Sequence, residues 1–133
     1  MVYLLDTSAL LVLYRNEPGA ERIATFFREP EHEFLICALS VAEFGRKLRE
    51  LGVGALEIET LLDTYLPMFT SVLATDENVA RTSLRLIEQV PVRLPLADSL
   101  IAAAAMTRSA CLMHRDKHMA AIPETILPQF SLF

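Results

Sequence analysis

Val2-Tyr3-Leu4-Leu5-Asp6-Thr7-Ser8-Ala9-Leu10-Leu11 is the stretch whose reading decides the fold. Four apolar residues in a row read as a short strand buried on both faces, the habit of a parallel sheet's interior. The strand must stop at Asp6, and a helix starts at once through Ala9 to Leu13, with Thr7 or Ser8 as its N-cap. A carboxylate so placed emerges at the carboxyl end of a buried strand, where open α/β sheets put their ligand sites. Asp6 could also be a plain helix cap. Three later acids at the same kind of junction tip the balance.

The rest of the chain keeps the alternation. Asn16-Glu17-Pro18-Gly19 is a turn, and Ala20 to Arg28 is helical with Ile23, Phe26 and Phe27 on one side. A polar loop, Glu29 to Glu33, leads to a second buried strand over Phe34 to Ala38. Ser40 opens the next helix, with Val41, Phe44 and Leu48 inward and Arg46, Lys47 and Arg49 outward, until Gly52-Val53-Gly54 breaks it. Ala55 to Tyr65 is another amphipathic helix, stopped at Pro67. Phe69 to Ala74 is a third strand, after which Thr75 or Asp76 caps a helix running to about Gln89. Pro91 to Pro95 is a rigid connector. Leu96 to Arg108 is a helix whose four alanines, Ala102 to Ala105, allow close backbone approach. Cys111 to Met113 is a fourth strand, Arg115 to His118 a loop, and Ile122 to Pro128 ends in a short edge strand, since proline limits pairing. Strands separated by helices mean βαβ units. The expected architecture is α/β: residues 1–133 as a single domain with a short, mainly parallel central sheet flanked by helices.

A chain of 133 residues can bury a real core without staples. The apolar fraction of 53% is high, yet no apolar run approaches a membrane span, and Asp6 interrupts the first one with no basic residue before it. A cytoplasmic protein without a signal peptide is the expectation. Cys37 and Cys111 sit in apolar strands and read as buried free thiols. The net charge of −5 speaks against nucleic-acid binding only until a pocket is considered: with four site acids set aside from 17, 13 remain against 12 Lys and Arg. Any basic track for RNA is then local. The apolar surplus points to a surface covered by a partner chain.

The other acids also have structural explanations. Ser40-x-x-Glu43 is a capping box. Asp98, in the first turn of the helix after Pro95, is favoured by the helix dipole. Asp116 suits a turn. Taken together, Asp6, Glu43, Asp98 and Asp116 all lie at strand ends or helix starts, points that a parallel sheet gathers toward one edge. Four clustered carboxylates cannot all stay ionised without cations. Oxygen-only donors suit Mg²⁺, or Mn²⁺ in its place, and such a site suits phosphodiester hydrolysis. Ser8 would hold a water or position a carboxylate.

Four pieces now carry a resemblance: Leu5-Asp6-Thr7-Ser8-Ala9-Leu10, Ser40-Val41-Ala42-Glu43-Phe44, Leu94-Pro95-Leu96-Ala97-Asp98-Ser99-Leu100-Ile101-Ala102-Ala103 and Arg115-Asp116-Lys117-His118. In order and spacing the chain resembles the PIN domain, most closely the VapC-type ribonuclease toxins of toxin–antitoxin pairs. The resemblance implies that Asp6, Glu43, Asp98 and Asp116 are the acids of an RNA-cleaving Mg²⁺ site. Asp6 and Asp98 would hold the metal, Glu43 and Asp116 directly or through water, with Ser8 in support. It also implies a homodimer, and a small antitoxin that pushes a basic side chain into the acidic pocket. Two positions depart from the pattern. His114 stands where Thr or Ser is common, and His118 where some members carry another acid.

Two alternatives stand beside this reading, the first resting on those two departures and the second on the chemistry such sites share. One is a PIN-like RNA- or protein-binding module with weakened catalysis; another is a nuclease or phosphatase with a non-RNA substrate. His114-x-Asp116-x-His118 also has the composition of a small transition-metal site, although solvated histidines beside a phosphate-binding mouth fit a loop better. Arg15, Arg46, Lys47, Arg49, Arg115 and Lys117 are candidates for RNA backbone contacts, against the plain reading of solvated helix faces. Phe26, Phe27, Phe44 and Phe69 fall at core spacing and read as packing rather than base stacking.

Overall fold

β1 (Val2–Leu5) is the middle strand of the sheet, and its neighbours explain its composition. It pairs in parallel with β2 (Glu33–Cys37) on one side and β4 (Cys111–His114) on the other. β3 (Ser71–Leu73) extends the sheet beyond β2 and β5 (Gln129–Ser131) beyond β4, both parallel, giving the order β3-β2-β1-β4-β5. The computed structural model describes residues 1–133. Every strand pair is parallel, so the expected mainly parallel α/β sheet is borne out and sharpened.

Strand periodicity divides the core in two. Tyr3, Leu5, Phe34, Ile36, Cys111 and Met113 point to one face, under α1 (Thr7–Tyr14), α2 (Ala20–Arg28), α3 (Ala38–Glu50) and α4 (Ala55–Tyr65). Leu4, Leu35, Cys37 and Leu112 point to the other, under α5 (Glu77–Ile87) and α6 (Leu96–Thr107). Ala102 to Ala105 are all buried there, the small-residue surface that lets α6 pack closely on α5 and the sheet. Phe44 and Phe69 are core residues, and Phe26 and Phe27 pack against the same cluster. Cys37 and Cys111 are buried free thiols.

The local details differ from expectation in four places. The N-cap of α1 is Asp6, not Thr7 or Ser8: its backbone is still extended, and its carboxylate accepts the Ser8 amide. Ser40 does not open α3. The helix begins at Ala38, directly after β2, so Ser40 lies inside the first turn with its hydroxyl buried and unpartnered. The Ser40–Glu43 capping box therefore does not form. α4 ends at Tyr65, just before Pro67, as expected, and the proline then enters a 3₁₀ turn, Leu66–Met68, at a position where no amide hydrogen is needed. Arg115 to His118 is only partly loop, because Asp116 caps a short helix, α7 (Lys117–Ala120). The last strand comes later than expected, after Pro128 rather than before it; Pro128 itself contributes only its carbonyl, which accepts the Leu112 amide at 2.9 Å.

Candidate active site

From β1 the chain crosses over to β2 on one side, and β4 is later laid on β1's other flank. That reversal opens a crevice at the carboxyl ends of the central strands. Asp6 follows β1 and is 3% exposed. Its Oδ2 accepts the Ser8 amide at 3.2 Å and the Ser8 hydroxyl at 2.6 Å. Ser8 Oγ in turn accepts the Arg115 amide at 2.9 Å, so one hydroxyl ties the exit of β1 to the exit of β4.

Glu43 projects from α3, and its Oε1 accepts the Thr7 hydroxyl at 2.7 Å. Asp98 arrives by a different route. A helix that precedes a parallel strand runs against it, which puts the N-terminus of α6, and Asp98 in its first turn, at the carboxyl edge. Asp98 Oδ2 lies 3.4 Å from His118 Nδ1, which is 3.3 Å from Asp116 Oδ1. That Oδ1 also accepts the amides of His118 at 2.6 Å and Met119 at 3.4 Å.

The electrostatics show the four acids sharing one field. Burial raises the Asp6 carboxyl above the usual range, with Asp116 and Glu43 adding to it and the Ser8 hydrogen bonds opposing. Asp98 is pushed up to about 7, first by burial, then by Asp116 and Asp6, against the pull of His118. Below them the Cys37 thiol is raised to about 12 by burial and by Asp6 and Glu43. No lysine or arginine opposes this at Asp6 or Asp98; Arg115 is paired with Glu17 at 3.3 Å and Lys47 with Glu50 at 3.6 Å. Thr7, Ser8 and the α7 amides occupy one oxygen each of Glu43, Asp6 and Asp116, leaving the second free for another ligand. This donor set fits a hard divalent cation.

The histidines do not behave alike. His114 is not solvated: it is fully buried, with Nε2 2.8 Å from Gln129 Oε1 and Nδ1 accepting the Asp116 amide at 3.1 Å. With both ring nitrogens engaged, His114 stands outside the group formed by Asp98, Asp116 and His118, and the His114-x-Asp116-x-His118 metal constellation is not assembled. His118 does face the acids, and Asp98, Asp116 and His118 offer ligand atoms within 4.8 Å of one another. Sequence reasoning missed three contributors: Thr7, taken for a cap; Gln129, which carries no motif; and the side-chain direction of His118. Of the basic candidates, Arg46 and Lys47 share a cavity of about 200 Å³ with Glu43 and Glu50. Lys117 is exposed at the start of α7, Arg15 is exposed at the end of α1, and Arg49 is exposed on α3.

The fold and the crevice define the class first: an all-parallel α/β protein with a carboxylate cluster at its topological switch point. The family model described as PIN domain matches residues 3–124, and the chain belongs to that family. Solved structures agree on the fold. A chain of FitAcB from Neisseria gonorrhoeae is 24% identical with a TM-score of 0.77, the match covering 99% of this chain and 98% of that one. VapBC-1 from nontypeable Haemophilus influenzae matches at 20% identity and TM-score 0.76, with the same coverage, 99% and 98%. VapBC2 from Rickettsia felis, bound to a DNA fragment from its promoter, matches at 19% identity and TM-score 0.75, covering 98% of this chain and 100% of that one. The search of curated proteins finds no match. No helix is long and apolar enough to cross a membrane.

Proposed function

We propose that the protein is a divalent-metal-dependent endoribonuclease, the toxin of a toxin–antitoxin pair, hydrolysing RNA phosphodiester bonds and so blocking translation. One observation carries this reading: Asp6, Glu43, Asp98 and Asp116, from four separate segments, raise one another's carboxyls, and no lysine or arginine opposes them at Asp6 or Asp98. Asp6 and Asp98 would hold Mg²⁺, or Mn²⁺ as a substitute, with Glu43 and Asp116 reaching it directly or through water. When bound, the ion supplies Lewis-acid chemistry for phosphodiester hydrolysis.

The chain's own groups do the rest. Thr7 and Ser8 each fix one oxygen of an acid, so the remaining oxygens keep their places without reorganisation. Asp98, pushed up to about 7 by burial and its acidic neighbours, is the acid on which a bound cation would act most strongly, since the cation offsets that repulsion. Lys117, and Arg46 and Lys47 beside Glu43, would meet the RNA backbone. Arg115 contributes chiefly through its amide, since its guanidinium is already paired with Glu17.

Two partner assignments belong to the same proposal. Leu84 and Ile87 on α5, Val92 in the connector and Leu96 on α6 are large exposed apolar groups close together in the chain, which supports a homodimer. Similar folds are found in a toxin–antitoxin complex from Klebsiella pneumoniae and in a member of the VapBC family of toxin–antitoxin systems from Mycobacterium tuberculosis, which supports a small antitoxin presenting a basic side chain to the acids. The test is cleavage of several RNA classes by wild type and Asp98→Asn, with Mg²⁺, Mn²⁺ or chelator. Wild type should cut only with metal and the variant not at all. Undiminished cleavage by the variant, or in chelator, would refute the mechanism. Binding without turnover by wild type would favour a binding module, and cleavage of DNA or phosphomonoesters but not RNA would reassign the substrate.

A further inference from the structure

His114 is a fully buried imidazole with a hydrogen-bond partner on each nitrogen, and those partners fix its protonation pattern. The Asp116 main-chain amide can only donate, so Nδ1, 3.1 Å away, is the bare nitrogen. The proton is then on Nε2 and is donated to Gln129 Oε1 at 2.8 Å. The Gln129 amide orientation is fixed in its turn, because its Nε2 donates to the Ile122 carbonyl at 2.7 Å. The chain of donors runs one way, from the Asp116 amide through His114 and Gln129 to the Ile122 carbonyl, and no member of it is left unsatisfied.

We propose that His114 is a positioning residue: its Nδ1 holds the Asp116 main chain, and Gln129 on β5 holds His114, so that the edge strand sets where the fourth acid of the crevice points. The same Asp116 carboxylate caps α7 and lies 3.3 Å from His118 Nδ1. A turned Asp116 amide would therefore move the α7 start, His118 and the carboxylate as a unit. The role rests on reading Asp116 as a site acid, but the hydrogen bond itself does not. The test separates the two.

Asn and Gln divide the imidazole's functions. His114→Asn can place an acceptor near the position of Nδ1; His114→Gln reaches the position of Nε2 and leaves the Asp116 amide without a partner. Three measurements are made on the full chain: amide hydrogen exchange at Asp116, Mn²⁺ binding by calorimetry with the metal alone as probe, and unfolding by urea. The exchange of the Asp116 amide should stay slow in wild type and His114→Asn and quicken at least about tenfold in His114→Gln. Mn²⁺ affinity should follow the same order, within about threefold of wild type for Asn and down by about tenfold or more for Gln, the usual effect of losing a group that orients a ligand. A residue that only fills space would give losses tracking stability, with no advantage for Asn. Equal exchange and equal Mn²⁺ affinity in the two variants would overturn the proposal. If His114→Gln fails to fold, Gln129→Met cuts the chain at its other end and must also quicken Asp116 exchange; unchanged exchange would overturn it too. If wild type binds Mn²⁺ and shows the predicted order yet cuts no RNA, the nuclease reading fails while the positioning role stands.

Discussion

Replacing Asp98 by Asn should make the metal-free protein more stable while abolishing its activity. The carboxyl is raised from 3.8 to about 7 in the folded state, chiefly by burial and then by Asp116 and Asp6. The folded chain thus binds more protons than the unfolded chain between those values, and stability falls as pH rises through the interval. At pH 4.5 the group is close to neutral in the folded state and costs little; at pH 8 it is ionised in both states and the cost is complete. A shift from 3.8 to about 7 corresponds to ~4 kcal/mol before screening. The side chain is 15% exposed and its acidic neighbours can relax, and Asn gives up about 0.5 kcal/mol of helix-dipole interaction. A net gain of ~1–2 kcal/mol at pH 8 remains, or roughly 1 M in the urea midpoint for a domain of this size. Urea unfolding followed by circular dichroism in chelator, at pH 4.5, 6 and 8, measures it. The gain should be absent at pH 4.5, partial at pH 6 and full at pH 8. No gain at pH 8, or the same gain at pH 4.5, would refute the claim that Asp98 sits in an uncompensated acidic field.

Other outcomes follow from the same geometry. Mn²⁺ binding should release protons, and its affinity should drop about tenfold per pH unit below 7, because the ion displaces a proton from Asp98; calorimetry in buffers of different ionisation enthalpy reads both. Ser8→Ala removes the hydroxyl that joins Asp6 to the Arg115 amide and should weaken Mn²⁺ binding by about tenfold, at a cost of ~1 kcal/mol in stability. Asp76→Ala is the control: it loses the cap that accepts the Val79 amide at 3.0 Å, costing ~1 kcal/mol in thermal unfolding while Mn²⁺ affinity stays at the wild-type value.

Much of the fold was legible because burial leaves a simple imprint. Val2–Leu5 is apolar without alternation because β1 is flanked on both sides and covered on both faces. The helices over Ala20–Arg28 and Ala55–Tyr65 match their apolar spacing. What misled was local hydrogen bonding. Ser40-x-x-Glu43 has the composition of a capping box, but Cys37 hands the chain directly to α3, and Glu43 takes the Thr7 hydroxyl from another segment. The grouping of Asp6, Glu43, Asp98 and Asp116 could be anticipated from topology, since strand ends and helix starts fall on one edge. The inward turn of His114 could not, because its partner Gln129 lies 15 residues away in a strand that prolines displaced.

The anchoring of the acids has a consequence for control. Asp6 directly follows the central strand, Asp116 follows its neighbour by two residues, and Asp98 lies in the first turn of a core helix. Moving the backbone at Asp6 or Asp98 means disturbing the central strand or a core helix, so those two carboxylates are held by the fold itself. On the reading proposed above, a stopper laid over the crevice from outside is a cheaper means of control than any rearrangement beneath it.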